Sequence, residues 1–335
     1  MSWFALALVA MLCWSGSDLF SKMGSKPDDR LSHWKMVMAV GLVMGLHALY
    51  TVVVGGVRVT VGDMITYLPA SFLYILAMVL GYVGLRYIEL SISSPICNTS
   101  GAAAALFCLI FLGEKLPELP VNRFGREITL PLGLIAVLLM AAGVLILGIV
   151  ETNEDEEIKA ERRKAENVQY ARSILALLLP ILYCLIDAAG TVADSIILEK
   201  LDETVANTAY ELTFLVLGIL AAIYTLGIRR DKLRIPREVP KLLAAVCETA
   251  GQAAYIFAIS SSVAAAPIIS CYCLVSVLWS RIFLKEKLSW KHYLAIGIAA
   301  VGIALIGFLD EIGRKKRCLR RAPEEKAPAR GVLYQ

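Results

Sequence analysis

The sequence predicts an all-α integral membrane protein of ten transmembrane helices, built as two inverted five-helix repeats. Three observations carry that reading. Apolar runs of about 20 residues recur along the chain, each long enough to cross a hydrocarbon core of about 30 Å. The fourth and ninth runs align without a gap. Pro95 to Leu116 reads PICNTSGAAAALFCLIFLGEKL and Pro267 to Leu288 reads PIISCYCLVSVLWSRIFLKEKL, so both open on Pro-Ile and close on Phe-Leu-x-Glu-Lys-Leu. The fifth and tenth runs also match, with Gly143 in register with Gly302. A repeat with an odd number of spans inserts its second copy upside down.

Hydrophobic residues make up 58% of the chain and the mean hydropathy is +0.68, more apolar surface than a soluble domain carries. In lipid the backbone must satisfy its own hydrogen bonds, so these runs are helices. In order, the predicted spans are 2–21, 33–54, 67–88, 91–112, 130–150, 173–197, 205–227, 241–259, 262–284 and 290–309. The first is a span rather than a cleaved leader, because no Lys or Arg precedes it and Trp14 to Lys22 offers no small-residue cleavage site. The short links Ser91 to Ser94 and Ser260 to Ala266 fold spans three and four, and eight and nine, into helical hairpins. Extra residues in the first half fall in Pro117 to Thr129, a predicted loop with two prolines and Gly125. The small residues of spans five and ten allow close helix contact. These two spans are expected to support the fold or a homodimer and to line no pathway.

The predicted organisation is therefore a first five-helix unit (1–150), a charged linker (151–172), a second five-helix unit (173–309) and a basic disordered tail (310–335). The linker mixes Glu-rich and Lys/Arg-rich stretches and reads as a solvated connection. Net charge is +4 and concentrates in the tail, at Arg314 to Arg317 and Arg320-Arg321, where it suits an anionic membrane leaflet or a plain topology anchor. No folded scaffold or interleaved aromatics accompany it, so nucleic acid is not an expected partner. An even number of spans puts both termini on one side. The tail argues that this side is cytoplasmic, whereas the loops on the opposite side carry more Lys and Arg and argue the reverse. Every cysteine but Cys318 lies in an apolar span, where packing is the expected role and no disulfide framework forms.

Charged side chains inside a bilayer are costly, so each asks for a reason. Five carboxylates fall within predicted spans: Asp18, Asp187, Asp194, Glu211 and Glu248. Asp187 and Glu248 lie nearest the middle of theirs and are the leading candidates for substrate binding or proton coupling, with Glu211 next. A helix-to-helix hydrogen bond is the plainer role for each. Asp18 stands four residues before Lys22, a spacing that predicts an ion pair on one helix face near a membrane interface. Arg86 and Glu89, three apart, invite the same reading. Neutral polar and aromatic groups gather in the same spans: Trp14, Tyr74, Tyr82, Asn98, Tyr183, Gln252, Tyr255 and Tyr272. An aromatic wall with a few oriented amides is how small-molecule cavities are built, and aromatic faces suit an ammonium group. Taken singly, each is more often packing. The three histidines have no metal-ligand spacing, and no nucleotide loop or nucleophile elbow is present. Neither metal nor cofactor is expected.

Two inverted fives, short hairpins into spans four and nine, a Glu-Lys-Leu exit from each (Glu114-Lys115-Leu116 and Glu286-Lys287-Leu288) and glycine-rich spans five and ten together resemble the drug/metabolite transporter superfamily, EamA type. The resemblance covers about residues 2 to 309. It implies carrier-mediated movement of small metabolites, often export, through a central cavity lined by spans one to four and six to nine. The expected function is a non-enzymatic secondary transporter in the cell membrane. It would move a small polar or cationic metabolite, such as an amine, an amino acid or a drug-like cation, by alternating access, and export it in exchange for protons. The internal acids of the second half favour a cation over an anion. A lipid flippase and a divalent-cation pathway are the alternatives within the same fold. A membrane enzyme is disfavoured because no catalytic constellation can be assembled. Small-molecule substrate, protons and membrane lipids are the expected partners of a monomer or homodimer.

Overall fold

The computed structural model describes residues 3–26, 28–111, 119–123, 126–152, 173–198, 200–261, 269, 272–286 and 288–321. Helices occupy the predicted apolar segments: α1 (Trp3–Gly24), α2 (Ser32–Val53), α3 (Val61–Gly84), α4 (Leu90–Cys97), α5 (Ser100–Phe111), α6 (Leu132–Thr152), α7 (Ser173–Ile197), α8 (Glu203–Ala222), α9 (Ile235–Ser261), α10 (Tyr272–Trp279) and α11 (Trp290–Arg321). Among the described residues, five helical stretches are long and apolar enough to cross a bilayer: Phe4–Gly24, Ser32–Val53, Val61–Gly84, Leu177–Asp194 and Glu203–Ile228. Large apolar side chains such as Leu46, Val53, Leu138, Leu145, Ile219 and Val301 stand exposed on the outer faces, as a lipid-facing surface requires.

Local chemistry sets several helix ends. Thr60 and Asp63 form a reciprocal capping box that starts α3 six residues before the predicted span. Asp202 caps α8 through the N–H groups of Thr204 and Val205. α8 and α10 each end in a π-helical turn, Ile223–Ile228 and Ser280–Leu284.

The structure departs from the sequence reading in four places. Ser91 to Ser94 is not a link but the body of α4, and the connection is Leu85 to Glu89. The predicted fourth span is broken into α4 and α5 at Asn98-Thr99. Pro95 has no N–H to donate, and at the break the Ile96 carbonyl accepts both the Thr99 N–H at 3.1 Å and the Thr99 hydroxyl at 2.7 Å. The Pro117 to Thr129 loop contains an antiparallel hairpin of β1 (Leu119–Arg123) and β2 (Arg126–Leu130), with Leu119 opposite Leu130. The predicted disordered tail begins inside α11, which runs on to Arg321. Residues 322–335 and most of the 151–172 linker lie outside the described residues.

Helices from the two halves pack in pairs: α1 along α9, α3 along α7, α2 along α8, and α6 along α11. Glycines permit the closest of these approaches. A Cβ on Gly41 would stand 2.6 Å from the Phe214 carbonyl and 2.8 Å from the Gly218 Cα. A Cβ on Gly143 would meet Ala299 at 2.7 Å, and one on Gly302 would meet the Ala136 carbonyl at 2.8 Å. The small-residue faces of the fifth and tenth predicted spans are thus turned on each other within one chain. The apolar core between α2, α3 and α8 is centred on Met36, Met44, Ile75 and Phe214.

Candidate functional site

The interior polar site is built where α1, α4, α7, α9 and α10 meet. On α1, Asp18 accepts hydrogen bonds from two serine hydroxyls, Ser94 of α4 and Ser276 of α10, both to the same carboxylate oxygen (the latter at 2.7 Å). The predicted pair with Lys22 does not form. Lys22 Nζ donates instead to the carbonyls of Leu85 and Ile88, which the end of α3 leaves without helical partners. Asp18 therefore faces inward between the two halves rather than along its own helix. Arg86 donates to the Arg30 carbonyl and lies over the Tyr87 ring.

Glu248 of α9 has the Ser17 hydroxyl beside it and lies within electrostatic reach of both Asp18 and Asp187. Asp187 of α7 has the Ser100 hydroxyl at the start of α5 beside it. Three of the five predicted carboxylates thus share one neighbourhood, and Tyr183 and Tyr272 belong to it. No Lys or Arg among the described residues pairs with any of the three. Trp14 forms the aromatic wall, with its ring centroid 5.2 Å from Tyr255 and 5.7 Å from Tyr272. Gly251 makes room for it, since a Cβ there would lie 2.6 Å from the indole Cδ1. Among the described residues, the indole N–H of Trp14 and the amide nitrogen of Asn98 are buried with no hydrogen-bond partner.

The other candidates lie elsewhere. Asp194 accepts the Tyr67 hydroxyl at 2.6 Å, and Tyr74 approaches Thr191 at 3.4 Å, so both tie α3 to α7. Tyr82 is the exception, packed with Met36, Ile75 and Phe214 of the apolar core yet within electrostatic reach of Glu248 and Asp18, so it borders the cluster. Glu211, only 1% exposed, sits between α8 and α2, where both its oxygens lie 2.9 Å from His47 Nδ1. Asn207 donates to Glu211 at 3.1 Å, and Gln252 of α9 donates to Asn207 at 3.2 Å, which joins this pair to the helix that carries Glu248.

Sequence reasoning missed His47, Ser17, Ser94 and Ser276. His47 could have been noticed as an imidazole near the middle of an apolar span, the depth at which a carboxylate partner is needed. The three serines give no signal of their own. Among the described residues no group of three or more His, Cys, Asp or Glu could hold a metal.

Residues 1–120 and 174–308 match the family model described as EamA-like transporter family, which takes in α1 to α5 and most of the second half and leaves out residues 121–173, where α6 and the linker lie. The chain belongs to the EamA-like transporter family. It is accordingly a multi-pass membrane protein of transporter type. A comparison with curated proteins returned no match. One solved structure, described only as "Crystal structure of protein", superposes with a TM-score of 0.55 at 15% identity, covering 93% of this chain and 98% of that one. That likeness speaks to fold alone. Asp18 belongs to the first matched segment, and Asp187, Glu248 and Ser276 to the second.

Proposed function

We propose that the chain is a secondary active transporter that exports a small polar or cationic metabolite in exchange for protons. The observation that carries this reading is the interior cluster of Asp18, Asp187 and Glu248, walled by Trp14, Tyr255 and Tyr272 and paired with no cation among the described residues. Carboxylates that share a membrane interior with no cation of their own among the described residues suit a site for which protons and a cationic substrate compete. An ammonium group would satisfy the carboxylates and the aromatic faces together. An anion would meet neither.

The units 1–150 and 173–309 would rock around the cluster and expose it to each side in turn. The cross-half helix pairs support this reading, as does the break between α4 and α5 beside Asp187. A thermal-shift screen over metabolite classes tests the substrate preference. Aromatic amines, amino acids or quaternary ammoniums should raise the melting temperature by binding the native state. A screen in which sugar phosphates alone stabilise would overturn it.

A further inference from the structure

The end of the molecule formed by the α1–α2 and α8–α9 connections carries a second polar feature, remote from the carboxylate cluster. A cavity of about 550 Å³ opens there, lined by seven cationic and four acidic side chains. The acids are already engaged. Arg237 pairs with Asp28 at 2.8 Å, and Lys35 pairs with Asp231 at 2.9 Å and Asp29 at 3.2 Å. The buried Lys241 pairs with Glu238 at 3.0 Å and approaches Asp29 at 3.6 Å. Those pairs lock the two connections together and leave Arg30, Arg229, Arg230, Lys232 and Arg234 as surplus positive charge around one opening.

The turn that carries four of these five is fixed by its backbone. The Arg229 N–H donates to the Tyr224 carbonyl and the Asp231 N–H to the Thr225 carbonyl, and Arg230 sits at φ 51°. The cations alternate with apolar side chains that face outward: Ile228 is 69% exposed, Leu233 48% and Ile235 78%. A soluble anion needs the cations but not the exposed isoleucines. The boundary of a bilayer supplies phosphate and hydrocarbon at adjacent depths, which is what this alternation matches. The turn follows directly on a helix of spanning length, so it lies at that boundary.

We propose that this basin binds the phosphate of an anionic phospholipid, with Arg30, Arg229, Arg230, Lys232 and Arg234 around the headgroup and Ile228, Leu233 and Ile235 against the acyl region. The site is independent of the transported substrate. The protein is reconstituted in phosphatidylcholine nanodiscs with and without phosphatidylglycerol, and its melting temperature is recorded at low and at 1 M NaCl. Phosphatidylglycerol should raise the melting temperature at low salt and lose that effect at high salt. In native mass spectrometry, phosphatidylglycerol should be retained several-fold over phosphatidylcholine. The combined variant R229Q/R230Q/K232Q/R234Q should melt like the wild type in phosphatidylcholine and show no phosphatidylglycerol shift. A full shift in the variant overturns the site. So does a wild-type shift that survives 1 M NaCl, a readout that needs no variant to fold. Inorganic phosphate reproducing the shift in pure phosphatidylcholine would make the ligand a soluble anion and overturn the lipid assignment.

Discussion

Glu286 closes the start of the helix that begins at Leu90. Its two oxygens accept the N–H groups of Leu90 and Ser91 at 2.9 Å each, and the Ser91 hydroxyl donates to it as well. The glutamate of the Phe-Leu-x-Glu-Lys-Leu ending in the second half therefore caps α4 in the first. Its carboxylate meets the positive end of the helix dipole and satisfies donors that would otherwise be buried without partners. The second copy of the motif is thus a clasp onto α4, while Glu114 of the first copy lies outside the described residues.

Removing the clasp has a cost. Glu286→Ala leaves buried N–H groups without acceptors and should destabilise by about 1–3 kcal/mol. Glu286→Gln keeps one acceptor oxygen and should fall between that variant and the wild type. Thermal melting in detergent reads the series, and an Ala variant as stable as the wild type would refute the capping role.

Two glycines should respond in opposite directions. A Cβ on Gly41 collides with the α8 backbone, so Gly41→Ala should force α2 and α8 apart and lower the melting temperature. Gly297 in α11 has nothing within 4 Å of its would-be Cβ, so Gly297→Ala should be neutral or stabilise by up to about 1 kcal/mol. Equal gain at both sites would show that helix propensity, not close approach, decides.

The Glu211–His47 pair should behave as a unit. Glu211→Ala removes the acceptor of His47 and Asn207 and should cost about 1–3 kcal/mol. A double-mutant cycle with His47→Gln should give a coupling of about 1 kcal/mol or more. Strict additivity would mean that the two side chains are neighbours without interacting.

Asp231 gives a pH signature at the connection between α8 and α9. Its hydrogen bond to Lys35 holds its carboxyl below the usual aspartate range. A depressed acid contributes stability that is fully present above the unfolded value of about 3.9 and is lost as pH falls through the folded value. The wild-type advantage over Asp231→Asn should therefore be present at neutral pH and shrink in strong acid. Melting curves at both pH values check it, and an advantage that grows on acidification would have the wrong sign.

The places where sequence and structure part share one cause. Apolar runs report spans directly, because lipid forces each run to be helical. Gly143 and Gly302 announced a close contact because only small residues permit one. Asp18 and Lys22 misled because the i, i+4 rule describes an isolated helix. In the folded chain, the Leu85 and Ile88 carbonyls and the Ser94 and Ser276 hydroxyls come from distant segments and offer each charge a better partner. The α4–α5 break falls at Asn98-Thr99, three residues after Pro95, and an apolar run of the right length conceals it. Asp187 and Glu248 were legible from depth alone. That they share a neighbourhood with Asp18 required the packing of α1 against α9.

Proton movement through the carboxylate cluster is the decisive quantity. Proteoliposomes carrying an internal pH dye should report proton flux when the stabilising substrate is applied across the membrane. Asp187→Asn and Glu248→Gln should abolish that flux while leaving expression and melting temperature near wild type. Substrate-driven proton flux at the wild-type rate in both variants would contradict the coupling role of the cluster.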